Sequence, residues 1–295
     1  MAAVPPVQFP IVDAHQHFWD PRVNYHPWLC DQPPVPFRYG DYSALRRPYL
    51  PADYFADAAG HQVVKTVYVE TEWDPRDPLG EMRYVERLRR ESGFPTVAVA
   101  QAWLDREDLG ATLAGLAQFD FVRGIRHKPQ PGQMADARWR SGFAQLFRRG
   151  LRFDLQAPWV QLEGAARLAR DFPDARIILN HTGLPADRSR EGIAGWKKAL
   201  RALAECPNAA LKISGLGVPG SAWTARSNRE VVLGAIDTFG IGRSMFASNF
   251  PVDGLCASFD AIVTGMFAIV QDFSAAEQRA MFHDNAIRIY DMERT

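Results

Sequence analysis

The chain has 295 residues, 47% of them hydrophobic, and its 34 basic side chains balance 34 acidic ones. That length buries a sizeable core, in one large barrel or in two ordinary domains. Zero net charge, with no run of five or six like charges, argues against a nucleic-acid binder and against a charged interaction tail.

The first apolar run, Ile11–His17, ends in His15-Gln16-His17. Successive strand residues point to opposite faces, so His15 and His17 share a face about 7 Å apart, with Asp13 expected deeper on that face. Two imidazoles on one strand can bind a transition metal or act as donor and base. A pair of structural core histidines is the plain alternative. Next comes Pro21–Pro51, with Trp28, Pro33, Pro34, Pro36, Tyr39 and Tyr42. It is expected to form a long loop over about 18–50, either a lid or an edge loop packed on the fold. The second run, Val64–Glu70, ends in Glu70-Thr71-Glu72. These two carboxylates can bind metal or orient a histidine, or simply stay solvated.

An amphipathic stretch follows at Leu79–Glu91, with Tyr84 and Leu88 at helical spacing. Thr96–Gln101 reads as a strand and Glu107–Leu116 as a helix. Phe121–His127 ends in Arg126-His127-Lys128, whose two cations are expected to lower the pKa of His127 and to hold a substrate carboxylate or hydroxyl. Trp139–Arg149 is helical in pattern, and the strand Leu151–Gln156 ends in Asp154-Leu155-Gln156. Val160–Asp171 is the next helix, and Arg176–His181 brings Asn180 and His181 to a strand end just before Thr182-Gly183. Gly195–Cys206 and Asn228–Phe239 are helices around the strand Ala210–Ser214. Ser244–Asn249 closes the series in Asn249, followed by Asp253. His26, His61 and His283 are expected at loop and helix-end positions, without a site role. Trp73, Trp103, Trp159 and Trp223 lie near loops and can shape a pocket or merely pack.

Strands and helices that alternate at roughly 25 to 35 residues predict an α/β fold, a single-domain (β/α)8 TIM barrel over 1–295, rather than an open doubly wound sheet. The near-continuous apolar character of the strands agrees with burial on both faces. In such a barrel the polar strand ends collect at one rim, where active sites lie. Cys30, Cys206 and Cys256 form neither a CxxC site nor a disulfide framework, so a reducing compartment is expected. Met1–Pro10 lacks the pattern of a signal peptide, and no run of about 18 apolar residues occurs. A cytoplasmic protein with a small-molecule substrate, and neither nucleic acid nor membrane as partner, is the expectation. A homodimer is left open as the assembly.

Taken in order, IVDAHQHFWDP (Ile11–Pro21), VYVETEW (Val67–Trp73), GIRH (Gly124–His127), FDL (Phe153–Leu155), LNHTGLP (Leu179–Pro185), LKISGL (Leu211–Leu216), FASNFPVD (Phe246–Asp253) and NAIRIY (Asn285–Tyr290) resemble the amidohydrolase superfamily. The branch they are most similar to is that of sugar-lactone and 2-pyrone-4,6-dicarboxylate lactonases. The resemblance implies a distorted TIM barrel that opens a small oxygen-rich lactone by histidine-assisted attack of water. It matches His15 and His17 to the family's strand-one pair and His181 to its strand-six histidine, and places His127 near the substrate. It also implies a divalent metal such as zinc on His15, His17 and His181 in some relatives, and none in others.

The departure is at strand eight, where the usual aspartate, ligand and general base, is Asn249. A neutral amide cannot accept a proton from water. The base is then expected among His181, His127 and Asp253, with Arg126, Lys128 and Glu72 on the substrate's polar groups. A metal-dependent decarboxylase of the same superfamily, or a non-catalytic small-molecule binder, is the alternative.

Overall fold

The computed structural model describes residues 9–294; most of Met1–Pro10 lies outside them. Eight parallel strands pair in chain order: β1 (Ile11–Gln16), β2 (Val63–Val69), β3 (Val97–Gln101), β4 (Val122–His127), β5 (Arg152–Leu155), β6 (Ile177–Leu179), β7 (Ala209–Ile213) and β8 (Ser244–Phe246). Helices cross between them. They are α1 (Pro27–Cys30), α2 (Pro51–Asp57), α3 (Gly80–Ser92), α4 (Leu109–Leu116), α5 (Ala137–Phe147), α6 (Leu162–Asp171), α7 (Arg190–Ala204) and α8 (Ala225–Phe239). After β8 come α9 (Phe259–Ile269), α10 (Ala275–Arg279) and α11 (Asn285–Tyr290). This is the (β/α)8 barrel that the alternation predicts. Among the described residues no helix is long and apolar enough to cross a membrane.

Strand alternation divides the apolar side chains into two cores. Val12, Ala14, Val67, Val69, Val97, Val99, Ile178, Ala210, Met245 and Ala247 fill the barrel, floored by Ala286, Ile289 and Tyr290 of α11 and by Met292. The opposite set, including Tyr68, Ile125, Phe153, Ile177 and Leu211, packs under the helices with Leu113, Phe143, Leu200 and Val232. Hydroxyl and carboxylate caps start some of the helices: Asp136 accepts from Trp139 N at α5, and Ser189 from Gly192 N at α7.

β6 and β8 are shorter than the apolar runs that announce them. His181, Thr182 and Asn249 have positive φ, so the chain leaves the ladder before those residues. Asp13 is a correction. The ladder between β1 and β2 shifts register between Asp13 and Gln16, so strict alternation fails there. Asp13 turns away from the interior and accepts a hydrogen bond from Tyr54 of α2 at 2.8 Å. Its other oxygen accepts from His15 N at 3.1 Å and Ser248 N at 2.9 Å. The barrel closes beyond β8: Asn249 N donates to His15 O and His17 N to Phe250 O, each at 2.8 Å. The closing seam is therefore made of the histidine pair and the Asn249 segment.

One string stands against the preference for a barrel over a dinucleotide-binding sheet. Gly215-Leu216-Gly217-Val218-Pro219-Gly220 has GxGxxG spacing directly after β7. It opens no helix, because α8 begins only at Ala225, and the phosphate-binding turn needs a helix N-terminus there.

Candidate active site

His15, His17 and His181 meet at the barrel mouth. The His15 ring lies 4.9 Å from that of His17 and 4.5 Å from that of His181, centroid to centroid. His17 Nδ1 is 2.7 Å from Val69 O. A carbonyl only accepts, so Nδ1 carries the proton and the neutral ring presents a bare lone pair at Nε2. That lone pair faces Asn249 Oδ1 at 3.3 Å. The amide cannot turn its donor inward, because Asn249 Nδ2 donates to Asp253 Oδ1 at 2.6 Å. His181 Nδ1 pairs with Ser214 Oγ at 3.0 Å.

Burial holds all three imidazoles well below their ordinary pKa. Nearby cations add to it: Lys212 first for His15, Arg126 for His17 and Arg38 for His181. All three are neutral at pH 7, which is the state of both a metal ligand and a general base.

Two features fit a cation. Both ring nitrogens of His15 are buried and, among the described residues, without a hydrogen-bond partner. His17 Nε2 and Asn249 Oδ1 face each other lone pair to lone pair. Among the described residues, however, no three His, Cys, Asp or Glu side chains stand together as a finished ligand set. The donors therefore suit an ion on His15 and His17, while His181 Nδ1 is paired with Ser214.

The mouth opens into a cavity of about 330 Å³ lined by His17, His181, Asn249, Thr71, Glu72, Arg126, Lys128 and Gln156, and by Trp19, Trp28, Phe37 and Arg38 of the long loop. That loop is bridged at its base, Trp19 to Tyr49, and so covers the mouth. Arg126 is 4% exposed. It bonds to Glu70 through Nε and Nη2 and donates to Gln156 Oε1 at 3.0 Å. Lys128 bonds to Glu72. The two glutamates thus pair with the cations at the end of β4 and, among the described residues, hydrogen-bond to no histidine.

His127 lies apart. Its Nδ1 accepts from Trp139 Nε1 at 3.2 Å, and it lines a neighbouring cavity with Trp103 and Asp105. Its pKa is lowered as expected, but by burial; Asp105 and Glu70 pull it the other way, and its flanking cations are not the cause. Asp253 sits behind Asn249. Besides the amide of Asn249 it accepts from Tyr39 at 2.9 Å and Gly215 N at 2.9 Å. Arg38 was not singled out from the sequence, since nothing in an aperiodic loop marks which side chain turns inward. His26, assigned no site role, is fully buried with Nδ1 3.3 Å from Thr71 O, beneath the cavity wall.

The fold and this histidine rim define an amidohydrolase-type barrel. The sequence profile of the amidohydrolase family matches residues 12–292, and the chain belongs to that family. It is 42% identical to the protein y4mH of Sinorhizobium fredii, over 95% of this chain and 98% of that one. It is 27% identical to L-fucono-1,5-lactonase of Burkholderia multivorans, covering 95% of each. An amidohydrolase crystal structure from Burkholderia multivorans with bound zinc superposes with a TM-score of 0.81 at 26% identity, covering 96% of this chain and 99% of that one. The protein is thus a hydrolase of the amidohydrolase superfamily.

Proposed function

We propose that the protein opens a small, oxygen-rich lactone by hydrolysis. One observation carries the reading: neutral His17 and His181 imidazoles face one cavity in a chain similar over 95% of its length to an L-fucono-1,5-lactonase. His181 is the base. Its Nδ1 is held on Ser214, and its other nitrogen takes a proton from the attacking water. Water adds to the ring carbonyl, the C–O bond of the ring breaks, and the protonated His181 returns its proton to the departing ring oxygen. The product is the open hydroxy acid. Asp253 is a poorer base because donors already occupy its oxygens, and His127 because it faces another cavity.

A divalent cation such as zinc would be held by His15 and His17 and, when bound, would polarise the lactone carbonyl. Arg126, Lys128 and Glu72 line the space around the ring's substituents. Assay of the purified protein against L-fucono-1,5-lactone, D-glucono-1,5-lactone and 2-pyrone-4,6-dicarboxylate tests the reading. Turnover of at least one is expected, with His15→Ala and His181→Ala each lowering kcat/KM by roughly 10²-fold or more. Absence of turnover, or full activity in both variants, refutes it.

A further inference from the structure

Arg38 lies in the aperiodic part of the loop between β1 and α2, and its guanidinium enters the mouth beside His181. It stacks on the Tyr39 ring, 4.5 Å from the centroid. Nη2 is 3.4 Å from Asp253 Oδ1, a long contact to an oxygen that Asn249 and Tyr39 already occupy. Nη1 is buried and has no hydrogen-bond partner among the described residues. Space for it is made at Gly215, where a Cβ would stand 2.7 Å from His181 Cβ and 3.1 Å from Arg38 Nη1.

The other cations on this cavity are committed, Arg126 to Glu70 and Lys128 to Glu72. Arg38, long-paired with Asp253, is the cation on this cavity that keeps a buried nitrogen without a partner among the described residues. A buried donor with no acceptor is costly, and a charged one more so. A carboxylate relieves that cost with two parallel hydrogen bonds to the planar fork, and a hydroxyl gives at most one weaker bond. The aromatic walls, Trp19, Trp28 and Phe37, lower the local dielectric beside this half-buried charge.

We propose that Arg38 selects substrates whose ring carries a carboxylate, so that the lactone is that of an acid sugar and not of a neutral one. For the reaction this rests on the lactonase reading; for the anion subsite it does not.

The test is calorimetry on the purified full-length protein with rings that cannot be hydrolysed: D-glucuronate against D-glucose, and D-galacturonate against D-galactose. In at least one pair the hexuronate is expected to bind tenfold or more tightly than its neutral partner. Arg38→Gln should erase that preference, and Arg38→Lys should keep part of it, having charge but no fork. If Arg38→Gln fails a thermal-melting control, Arg38→Met, which retains the packing on Tyr39, takes its place. Equal affinity within both pairs, no binding of any of the four at millimolar concentration, or a preference that survives loss of the guanidinium overturns the proposal. A preserved preference without lactone turnover rejects the hydrolase reading and leaves the subsite standing. Turnover of lactones without a hexuronate preference rejects the subsite alone.

Discussion

Asn249 places a buried amide beside His17, and its surroundings explain how that amide is accommodated. Its Nδ2 bridges to Asp253 at 2.6 Å, and its Oδ1 faces His17. The carboxylate is thus kept one turn further along the chain, where it also binds Tyr39 and the Gly215 amide. Asn249→Asp would set a second carboxylate against Asp253, and the buried Asp253 is already pushed up in pKa. Two like charges at that distance cannot both ionise cheaply, so one pKa must rise further. A carboxylate whose folded pKa is raised contributes less stability as pH climbs through it. In metal-free protein the variant should therefore be less stable than the parent by about 1–3 kcal/mol at pH 8, with the deficit shrinking at pH 5. Urea unfolding at the two pH values measures this; a deficit independent of pH would show that the pair is not coupled as described.

The elements were legible where periodicity speaks. Eight apolar runs separated by amphipathic stretches specify the barrel, and the histidines at the ends of β1 and β6 follow from the rule that strand ends form the rim. What stayed illegible depends on tertiary register. The shift at Asp13–Gln16 reverses the expected direction of Asp13, and no local residue pattern announces it. Glu70 and Arg126 pair across the intervening β3, at a separation that no spacing rule encodes. α2 has seven residues, too few for a helical period to stand out. The first turn of α3 supplies a further long-range contact. Glu81 Oε1 accepts from Tyr68 at 2.9 Å, Thr71 N at 2.6 Å and Thr71 Oγ1 at 2.8 Å, fixing the end of β2 where Thr71 lines the cavity. Burial, then the charge of Glu70, pushes the Glu81 carboxyl up to about 7. Its folded pKa exceeds its unfolded one, so its stabilisation is complete below about 4.5 and is lost as pH rises through 7. Glu81→Gln carries no such loss. Between pH 5 and pH 8 its stability relative to the parent should improve, by a few kcal/mol at most. A difference that stays flat, or moves the other way, would mean that Glu81 is ionised throughout.

Across the whole molecule the barrel interior is layered: an apolar floor, a charged middle, a histidine layer, then the cavity. The middle layer is Lys212 and Asp154, both 0% exposed, with Nζ 2.6 Å from Oδ1 but off the line of a good hydrogen bond. Asn180 Nδ2 donates to Asp154 at 2.9 Å, and the Tyr290 hydroxyl donates at 2.8 Å. Tyr290 belongs to α11, so the last helix is tied by this carboxylate to the strands beneath the site. Lys212 also lies over the Tyr290 ring at 5.0 Å, and its charge is the first to act on His15 after burial. A buried ion pair adds little net stability, because desolvation offsets the attraction, but removing one partner strands the other. Lys212→Met should therefore cost about 3–5 kcal/mol, Asp154 then being held only by neutral donors. Asp154→Leu should also be costly, since it strands the lysine and orphans the Tyr290 hydroxyl and the Asn180 amide. The double variant has no charge left to strand, so its loss should fall short of the sum of the singles by about 1–3 kcal/mol. Denaturant unfolding of the four proteins closes this cycle. Strict additivity would mean that the two charges act independently, and that the tie between α11 and the site does not run through this pair.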